Sequence, residues 1–310
     1  MSKIRTFFEL LLHDRKKLKI AFAQNFEKSR FSHMLSDKMF LSYVYKAHFG
    51  KKLNLKSPQT FNEKLQWLKL YYRTPEQIKL VDKYEVKKYI TETIGEEYII
   101  PTLGIYERFE DINFDVLPDQ FVLKCTHDSG SVVICKDKST FDYASAKTKL
   151  SKKLKNNLFW HGREWPYKNV KPRIIAEQYM EDKNTEELRD YKFFCFDGEV
   201  KALFVATERQ KAGEEVKFDF FDTDFNHLEL RQGHPNAKTY PEKPEKFDEM
   251  KLLAAKLSVG IPHVRVDFYE VNGQIYFGEL TFFHFNGMVP FVPGEWDKTL
   301  GDWINLPEKT

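Results

Sequence analysis

The chain has little cysteine, three in 310 residues (Cys125, Cys135, Cys195), an odd number whose spacing fits neither a disulfide framework nor a zinc knuckle. A reducing compartment is therefore expected. Nowhere does the sequence approach the roughly 18 consecutive apolar residues of a membrane span. Its first residues are too charged, and their apolar run too short, for a signal peptide, so a cytoplasmic location is expected. Glycine is sparse at 14, and the Gly-rich fingerprints of a P-loop or a Rossmann dinucleotide site are missing. No internal repeat is visible. Net charge is small, 49 Lys+Arg against 46 Asp+Glu giving +3, so nucleic acid is not an expected partner. What is present is apolar mass: 42% hydrophobic and 15% aromatic residues exclude disorder and suit a sheet-rich protein with deep pockets.

Residues 1–80 read as helical and basic. Up to Arg30 there are eight Lys/Arg against three acids, and Ile4, Phe7, Phe8, Leu11 and Leu12 share one helical face. That face suits either docking on a core or contact with an anionic membrane. Thr60 followed by Glu63 is a capping box opening a helix from Phe61 to Tyr72, which Pro75 ends. A second helix is expected from Ile78 to Ile94, stopped by Gly95. Tyr98 to Tyr106 reads as a short strand. Beyond residue 119 the pattern turns to strands: Phe121–Cys125 and Val132–Lys136 around a polar turn, Arg173–Tyr179, Asp190–Phe196, Glu199–Thr207, Val216–Phe221, Arg265–Val271 and Gln274–Glu279. Helices are expected at 141–158 and 244–257. Asp197-Gly198 and Asn272-Gly273 are hairpin turn signals.

Three groups of residues carry chemistry. Lys124 sits in an apolar strand, where an ammonium needs an anion, and Ser129-Gly130-Ser131 follows with backbone N–H groups and hydroxyls suited to phosphate oxygens. An outward-facing lysine and an ordinary turn are the bland alternative. Asp267 and Glu279 lie on strands joined at Asn272-Gly273; turn-centred counting sets 267 opposite about 278, near enough to converge two carboxylates on Mg²⁺. Arg265 shares their sheet face, placed to meet developing phosphoryl charge or to form a cross-strand salt-bridge network. The run Ile174-Ile175-Ala176-Glu177-Gln178-Tyr179-Met180 ends a strand in groups able to read an adenine edge.

The order of these groups resembles the ATP-grasp superfamily, and more closely its TupA-like branch, named for teichuronopeptide biosynthesis. The stretches that carry the resemblance are Ser57-Pro58-Gln59-Thr60-Phe61-Asn62-Glu63-Lys64-Leu65-Gln66-Trp67, Asp82-Lys83-Tyr84, Phe121 to His127, Ile174 to Glu177, Asp190 to Gly198, Arg265 to Tyr269 and Tyr276 to Phe282. The resemblance spans about residue 40 to Pro307. It implies an α+β ATP-grasp fold, two subdomains gripping ATP behind a helical N-terminal region. Segments are expected at 1–80, 81–118, 119–180 (phosphate loop) and 181–310 (Mg²⁺ site).

By resemblance, Lys87 and Lys124 contact phosphates. Thr126, His127, Ser129, Gly130 and Ser131 belong to the phosphate-covering loop. Glu177, Gln178, Tyr179 and Met180 form the adenine hinge, Asp190 binds ribose and Lys192 adds a phosphate contact. Asp267 and Glu279 hold Mg²⁺, Thr281 stands where the superfamily commonly has an Asn ligand, and Arg265 lies beside the acyl phosphate. Two further departures are Asp128, where relatives more often have Gly, and the bulky run from Phe282 to Gly287. The implied activity is an ATP- and Mg²⁺-dependent carboxylate–amine ligase, with catalytic contributions from Arg265 and Lys124. Its implied substrates are a uronic acid and an amino acid or amino sugar of cell-surface polysaccharide, and the basic N-terminus suggests contact with the inner face of a membrane. The rivals are a kinase on the same scaffold, a glycosyltransferase using a nucleotide sugar, and a non-catalytic binding module.

Overall fold

The computed structural model describes residues 15–183, 188–208 and 215–310. The apolar face drawn from Ile4 to Leu12 lies outside them. The chain divides into two compact units, one of residues up to 73 with 159–165 and 283–310, the other of 74–158 and 166–282.

The first unit is helical. It holds α1 (Arg15–Glu27), α2 (Asp37–Phe49) and α3 (Phe61–Tyr71), along with the late helix α9 (Glu295–Trp303) and the short turn α7 (Phe159–Gly162). Phe40, Leu41, Val44 and Tyr45 of α2 form its core with Met288. The capping box is present in full: the Thr60 hydroxyl accepts from the Glu63 N–H, and the Glu63 carboxylate accepts from the Thr60 N–H. Asp297 of α9 accepts from the Asn62 N–H (2.9 Å) and from its side-chain amide (2.8 Å), tying α9 to the start of α3. Gly301 is required there, since a Cβ would lie 2.4 Å from the Gln59 carbonyl oxygen.

The second unit carries α4 (Pro75–Val81), α5 (Val86–Thr93), α6 (Tyr143–Leu154) and α8 (Phe247–Leu257) around two antiparallel sheets. β1 (Thr102–Tyr106), β2 (Phe121–Cys125), β3 (Val133–Cys135) and β4 (Ile174–Gln178) pair in the order β1-β4-β2-β3. One face packs on α6 through Phe121, Leu123, Ala146, Leu150, Ile174 and Ala176. The larger sheet contains β5 (Asp190–Phe196), β6 (Glu199–Thr207), β7 (Lys217–Phe221), β9 (Val264–Val271) and β10 (Gln274–Thr281), in the order β10-β9-β5-β6-β7, with the two-residue β8 (Arg231–Gln232) beside it in sequence. Both expected two-residue turns form. Asp197 and Gly198 have φ of 46° and 83°, and Asn272 and Gly273 have 52° and 77°, the positive pairs that a type I′ turn needs.

Three expectations change. Pro75 opens a helix, occupying the first turn of α4, where its missing N–H is harmless. The single helix from Ile78 to Ile94 is broken at Asp82, whose carboxylate accepts from the N–H groups of Tyr84 (2.8 Å) and Glu85 (3.2 Å) while the Lys83 N–H turns to the Thr126 carbonyl. An aspartate that bonds its own downstream backbone offers an alternative to helix, and here it wins. The strand expected from Tyr98 begins only at Thr102, after a 3₁₀ turn over Glu96–Tyr98 and Pro101. Among the described residues no helix is long and apolar enough to cross a membrane.

Removing the cap hydroxyl in Thr60→Ala orphans the Glu63 N–H. Urea unfolding should show a loss of about 1 kcal/mol, and an unchanged midpoint would deny the cap its role.

Candidate active site

The β-period sets the site. Val122 of β2 lies opposite Glu177 of β4, so Lys124, two residues on, is the diagonal neighbour of Glu177 on the same face. Its ammonium reaches the Glu177 carboxylate at 2.8 Å. Lys87, from α5, reaches the other carboxylate oxygen at 2.7 Å and donates to the Ile100 carbonyl (2.8 Å) and the Thr102 hydroxyl (2.7 Å). Burial acts to raise the Glu177 pKa, but the two ammoniums outweigh it and hold the carboxyl below its ordinary value. Burial lowers Lys87, with Glu177 opposing.

On the larger sheet, Lys192 of β5 is registered with Asp267 of β9, and Asp267 with Glu279 of β10. Counting back from the Asn272-Gly273 turn puts 278 opposite 267. A bulge at Gly278 advances the register by one and brings Glu279 there instead. The Arg265 guanidinium grips Asp267 with two bonds of 2.7 Å and also donates to Glu279 (3.2 Å) and the Thr281 hydroxyl (2.9 Å). Lys192 is bonded to Asp190 (2.7 Å) and, in a very short contact, to Asp267. For Glu279, burial pulls upward, but Lys192, Lys83 and Arg265 prevail and hold its pKa at about 2. Burial pushes Asp267 up against the pull of Arg265 and Lys192, and the acids around Arg265 keep the guanidinium charged.

Two cavities lie between these side chains. The first, of about 260 Å³, is lined by Val122, Ile134, Lys136, Glu177, Gln178, Tyr179, Met180, Leu188, Tyr269 and Tyr276. The second, of about 240 Å³, is lined by Lys83, Lys87, Lys124, Ser129, Gly130, Glu177, Asp190, Lys192, Gly278 and Glu279. Lys124, Glu177 and Tyr269 belong to both. One is walled by aromatic and aliphatic groups beside a strand end; the other is polar and rich in lysine.

Placement of the expected loop residues is mixed. Ser129 and Gly130 line the polar cavity, while Thr126, His127 and Ser131 are buried beneath the loop. The Thr126 hydroxyl donates to the Lys171 carbonyl, His127 Nε2 lies 3.1 Å from the Asn156 carbonyl, and the Ser131 hydroxyl accepts from the Cys125 N–H. Asp128 turns inward: it is 4% exposed, accepts from Ser131 and lies 3.5 Å from the Lys153 ammonium. Its charge is spent inside the protein. Asn286 belongs to the first unit, where its carbonyl accepts from Gln66 and Lys69.

Lys83 was missed as a site residue, although Asp82-Lys83-Tyr84 marks it in the sequence. The helix break at Asp82 turns its ammonium to the Asp128 carbonyl at the rim of the polar cavity. Tyr269 and Tyr276, which wall the first cavity, were also missed; their alternation along the β9–β10 hairpin was the available signal. Another acidic pair, Asp222-Thr223-Asp224 after β7, has the Asp-x-Asp form of a nucleotide-sugar site. Its Asp222 carboxylate is used in a turn, accepting from the N–H groups of Asp224 and Asn226. The cysteines are free and buried, and burial pushes Cys125 to about 11 and Cys195 to about 12, so neither is a thiolate nucleophile at neutral pH.

Among the described residues no group of three or more His, Cys, Asp or Glu is placed to hold a metal ion. Asp267 and Glu279 supply two carboxylates on one sheet face, and Glu279 stays ionised far below neutrality. Glu279 lines the polar cavity and suits a hard divalent cation that completes its shell with water and ligand phosphates, as Mg²⁺ does, whereas Asp267 is 1% exposed, lines neither cavity and has both oxygens bonded by Arg265 and Lys192, so it would share the ion only by exchanging one of those bonds. The Thr281 hydroxyl is engaged by Arg265 and by Glu279 (3.3 Å), which makes it a support for the pair.

Glu177→Gln removes the anion from two half-sheltered ammoniums. Because Lys87 keeps two neutral acceptors, the loss at pH 7 should be about 2 kcal/mol rather than the full value of a broken buried pair. The folded-state pKa of Glu177 is depressed, so its stabilisation is complete above the ordinary carboxyl value of 4.5 and fades as pH falls below it. Denaturation of the two proteins across pH should show the gap closing on the acid side; a constant gap would rule out the ion pairs as its source.

Comparison with known proteins supplies the family. No curated protein matches the chain. Among solved structures, D-alanine–D-alanine ligase from Bacillus anthracis complexed with ATP has 17% identity and a TM-score of 0.38, over 66% of this chain and 55% of that one. The ATP-grasp ligase PsnB, complexed with minimal precursor, Mg and ADP, has 12% identity and a TM-score of 0.40 over 78% and 66%. D-Alanine–D-alanine ligase from Helicobacter pylori has 13% and 0.40 over 81% and 68%. The chain thus spans little more than half the length of the first of these. The family model described as TupA-like ATPgrasp matches residues 63–305, from the capping glutamate of α3 to beyond the end of α9, so the chain belongs to the TupA-like ATP-grasp family.

Proposed function

We propose that the protein is an ATP-dependent carboxylate–amine ligase working through an acyl phosphate. The observation that supports this most directly is the composition of one cavity: Lys83, Lys87, Lys124 and the 129–130 loop come from the smaller sheet and its flanking segments, and Asp190, Lys192 and Glu279 from the larger. Cations from both sides suit a triphosphate, with the base in the adjoining cavity beside Gln178, Tyr179 and Met180. Asp267 and Glu279 would hold Mg²⁺, which when bound neutralises phosphate charge and polarises the γ-phosphorus.

In this reading a substrate carboxylate oxygen attacks the γ-phosphorus, and the bond to the β–γ bridging oxygen breaks with its electron pair leaving on ADP. An amine then attacks the acyl carbon and expels inorganic phosphate, and its proton passes to solvent. The chain's part is positioning and charge compensation, so no nucleophilic side chain is needed. Lys124 holds phosphate oxygens. Arg265 fixes the Asp267 carboxylate by its two-bond grip and sets positive charge on the same face as Glu279. The family's name directs the substrate search to cell-surface polysaccharide precursors: a uronic acid as the carboxylate, an amino acid or amino sugar as the amine.

An ADP-release screen of uronic acids against amino acids and amino sugars tests the reading. Release should require ATP, Mg²⁺ and both co-substrates, and Lys124→Ala and Asp267→Asn should each lower kcat/KM by about 100-fold or more. Release with a single hydroxylated substrate would make the enzyme a kinase, and full activity in either variant would remove that residue from the site.

A further inference from the structure

We propose that the basic helical segment of residues 15–56 is a docking surface for an anionic lipid bilayer. The charge of the chain is unevenly distributed. This segment holds eleven Lys/Arg (15, 16, 17, 19, 28, 30, 38, 46, 51, 52, 56) against two acids (27, 37), a net +9, whereas the whole chain has +3; the rest of the chain is therefore at −6 (+3 less +9). Lys28, Arg30, Lys38, Lys46, Lys51, Lys52 and Lys56 are all exposed. The two acids subtract little from this surface. Asp37 is paired with Arg73 (2.7 Å) and Arg163 (3.2 Å), and burial pushes the Glu27 carboxyl up to about 7 against Lys69 and Lys28.

The same segment also exposes large apolar side chains. Among the described residues, every large exposed Phe or Met falls between 22 and 39: Phe31 is 75% exposed, Met34 82%, Met39 59% and Phe22 54%. Phe31 and Met34 lie three apart on the 3₁₀ turn Arg30–Met34, where side chains eclipse, so they project together. Met39 and Tyr43 lie one turn apart on α2, and the Tyr43 ring meets Phe26 of α1 at 5.2 Å, joining the apolar sides of the two helices. Exposed cations and protruding phenylalanine and methionine within one segment match a surface that is anionic outside and hydrocarbon just beneath. A nucleic acid would use the cations but offers the apolar groups no comparable medium.

The inference does not rest on the ligase reading, because vesicle binding is measured without ATP. The full chain should co-sediment with vesicles of phosphatidylcholine mixed with phosphatidylserine, but not with phosphatidylcholine alone, and high salt should weaken the binding. Phe31→Ser with Met34→Ser should lower the partition coefficient about tenfold or more at unchanged Tm. Lys51→Glu with Lys52→Glu should lower it by about 25-fold or more, at about fivefold for each cation near the leaflet before counting the reversal. Equal binding to neutral vesicles, no binding to the mixed ones, or unaltered binding by both double variants would overturn the proposal. So would displacement from mixed vesicles by a duplex oligonucleotide with the Phe31/Met34 variant binding that oligonucleotide as tightly as the parent.

Discussion

A buried carboxylate that holds two ammoniums, Glu177 between Lys87 and Lys124, is the constraint on which the site depends. The Glu177 carboxylate is the deeply buried member and needs both ammoniums, which are themselves only partly sheltered. The pairing fixes α5 against β2 and β4, because Lys87 reaches β4 from the helix and Lys124 reaches it from the neighbouring strand. It also sets the electrostatics. Four lysines (Lys83, Lys87, Lys124, Lys192) against three acids (Glu177, Asp190, Glu279) leave the lining of the polar cavity with a positive balance suited to a polyanionic ligand.

The larger sheet solves the same problem with opposite signs. Asp190, Asp267 and Glu279 would repel one another on adjacent strands were Arg265 and Lys192 not among them. The two-bond geometry of Arg265 matters more than its charge, since a planar fork fixes the carboxylate plane as a lysine cannot. The Gly278 bulge adds the register. Without it the residue facing Asp267 would be glycine, with no carboxylate, and the acidic pair would be split across two rungs of the ladder.

Legibility in the sequence followed how local each cause was. The Thr60–Glu63 box and the Asn272-Gly273 turn depend on residues a few positions apart, and both were readable. The facing of Lys124, Arg265 and Asp267 followed from strand alternation alone. The break at Asp82 was legible only in part: an aspartate can bond its own downstream N–H groups, but the Lys83 N–H also needs the Thr126 carbonyl, far along the chain, to receive it. Lys83 went unassigned for that reason. A register shift at Gly278 is likewise invisible to counting from the turn, although glycine in a strand is a known bulge signal. In the sequence the loop from Thr126 to Ser131 reads as one phosphate-facing unit, but in a tight turn polar side chains serve the turn first. Thr126, His127 and Ser131 satisfy buried backbone groups, and Ser129 and Gly130 are left to face the cavity.

That division within the loop bears on how such a site tolerates Asp128. A carboxylate beside the lysines of the polar cavity would compete for them if it pointed into that cavity. The Ser131 hydroxyl accepts from the Cys125 N–H and donates to Asp128, and Lys153 compensates the charge from α6. The acid thus becomes part of the loop's internal scaffold while its backbone carbonyl engages Lys83. A glycine at this position would leave the loop freer; an aspartate bonded on the inside fixes it and presents Ser129 and Gly130 as the exposed edge. The departure at 128 therefore changes how the loop is held rather than the charge that the cavity presents.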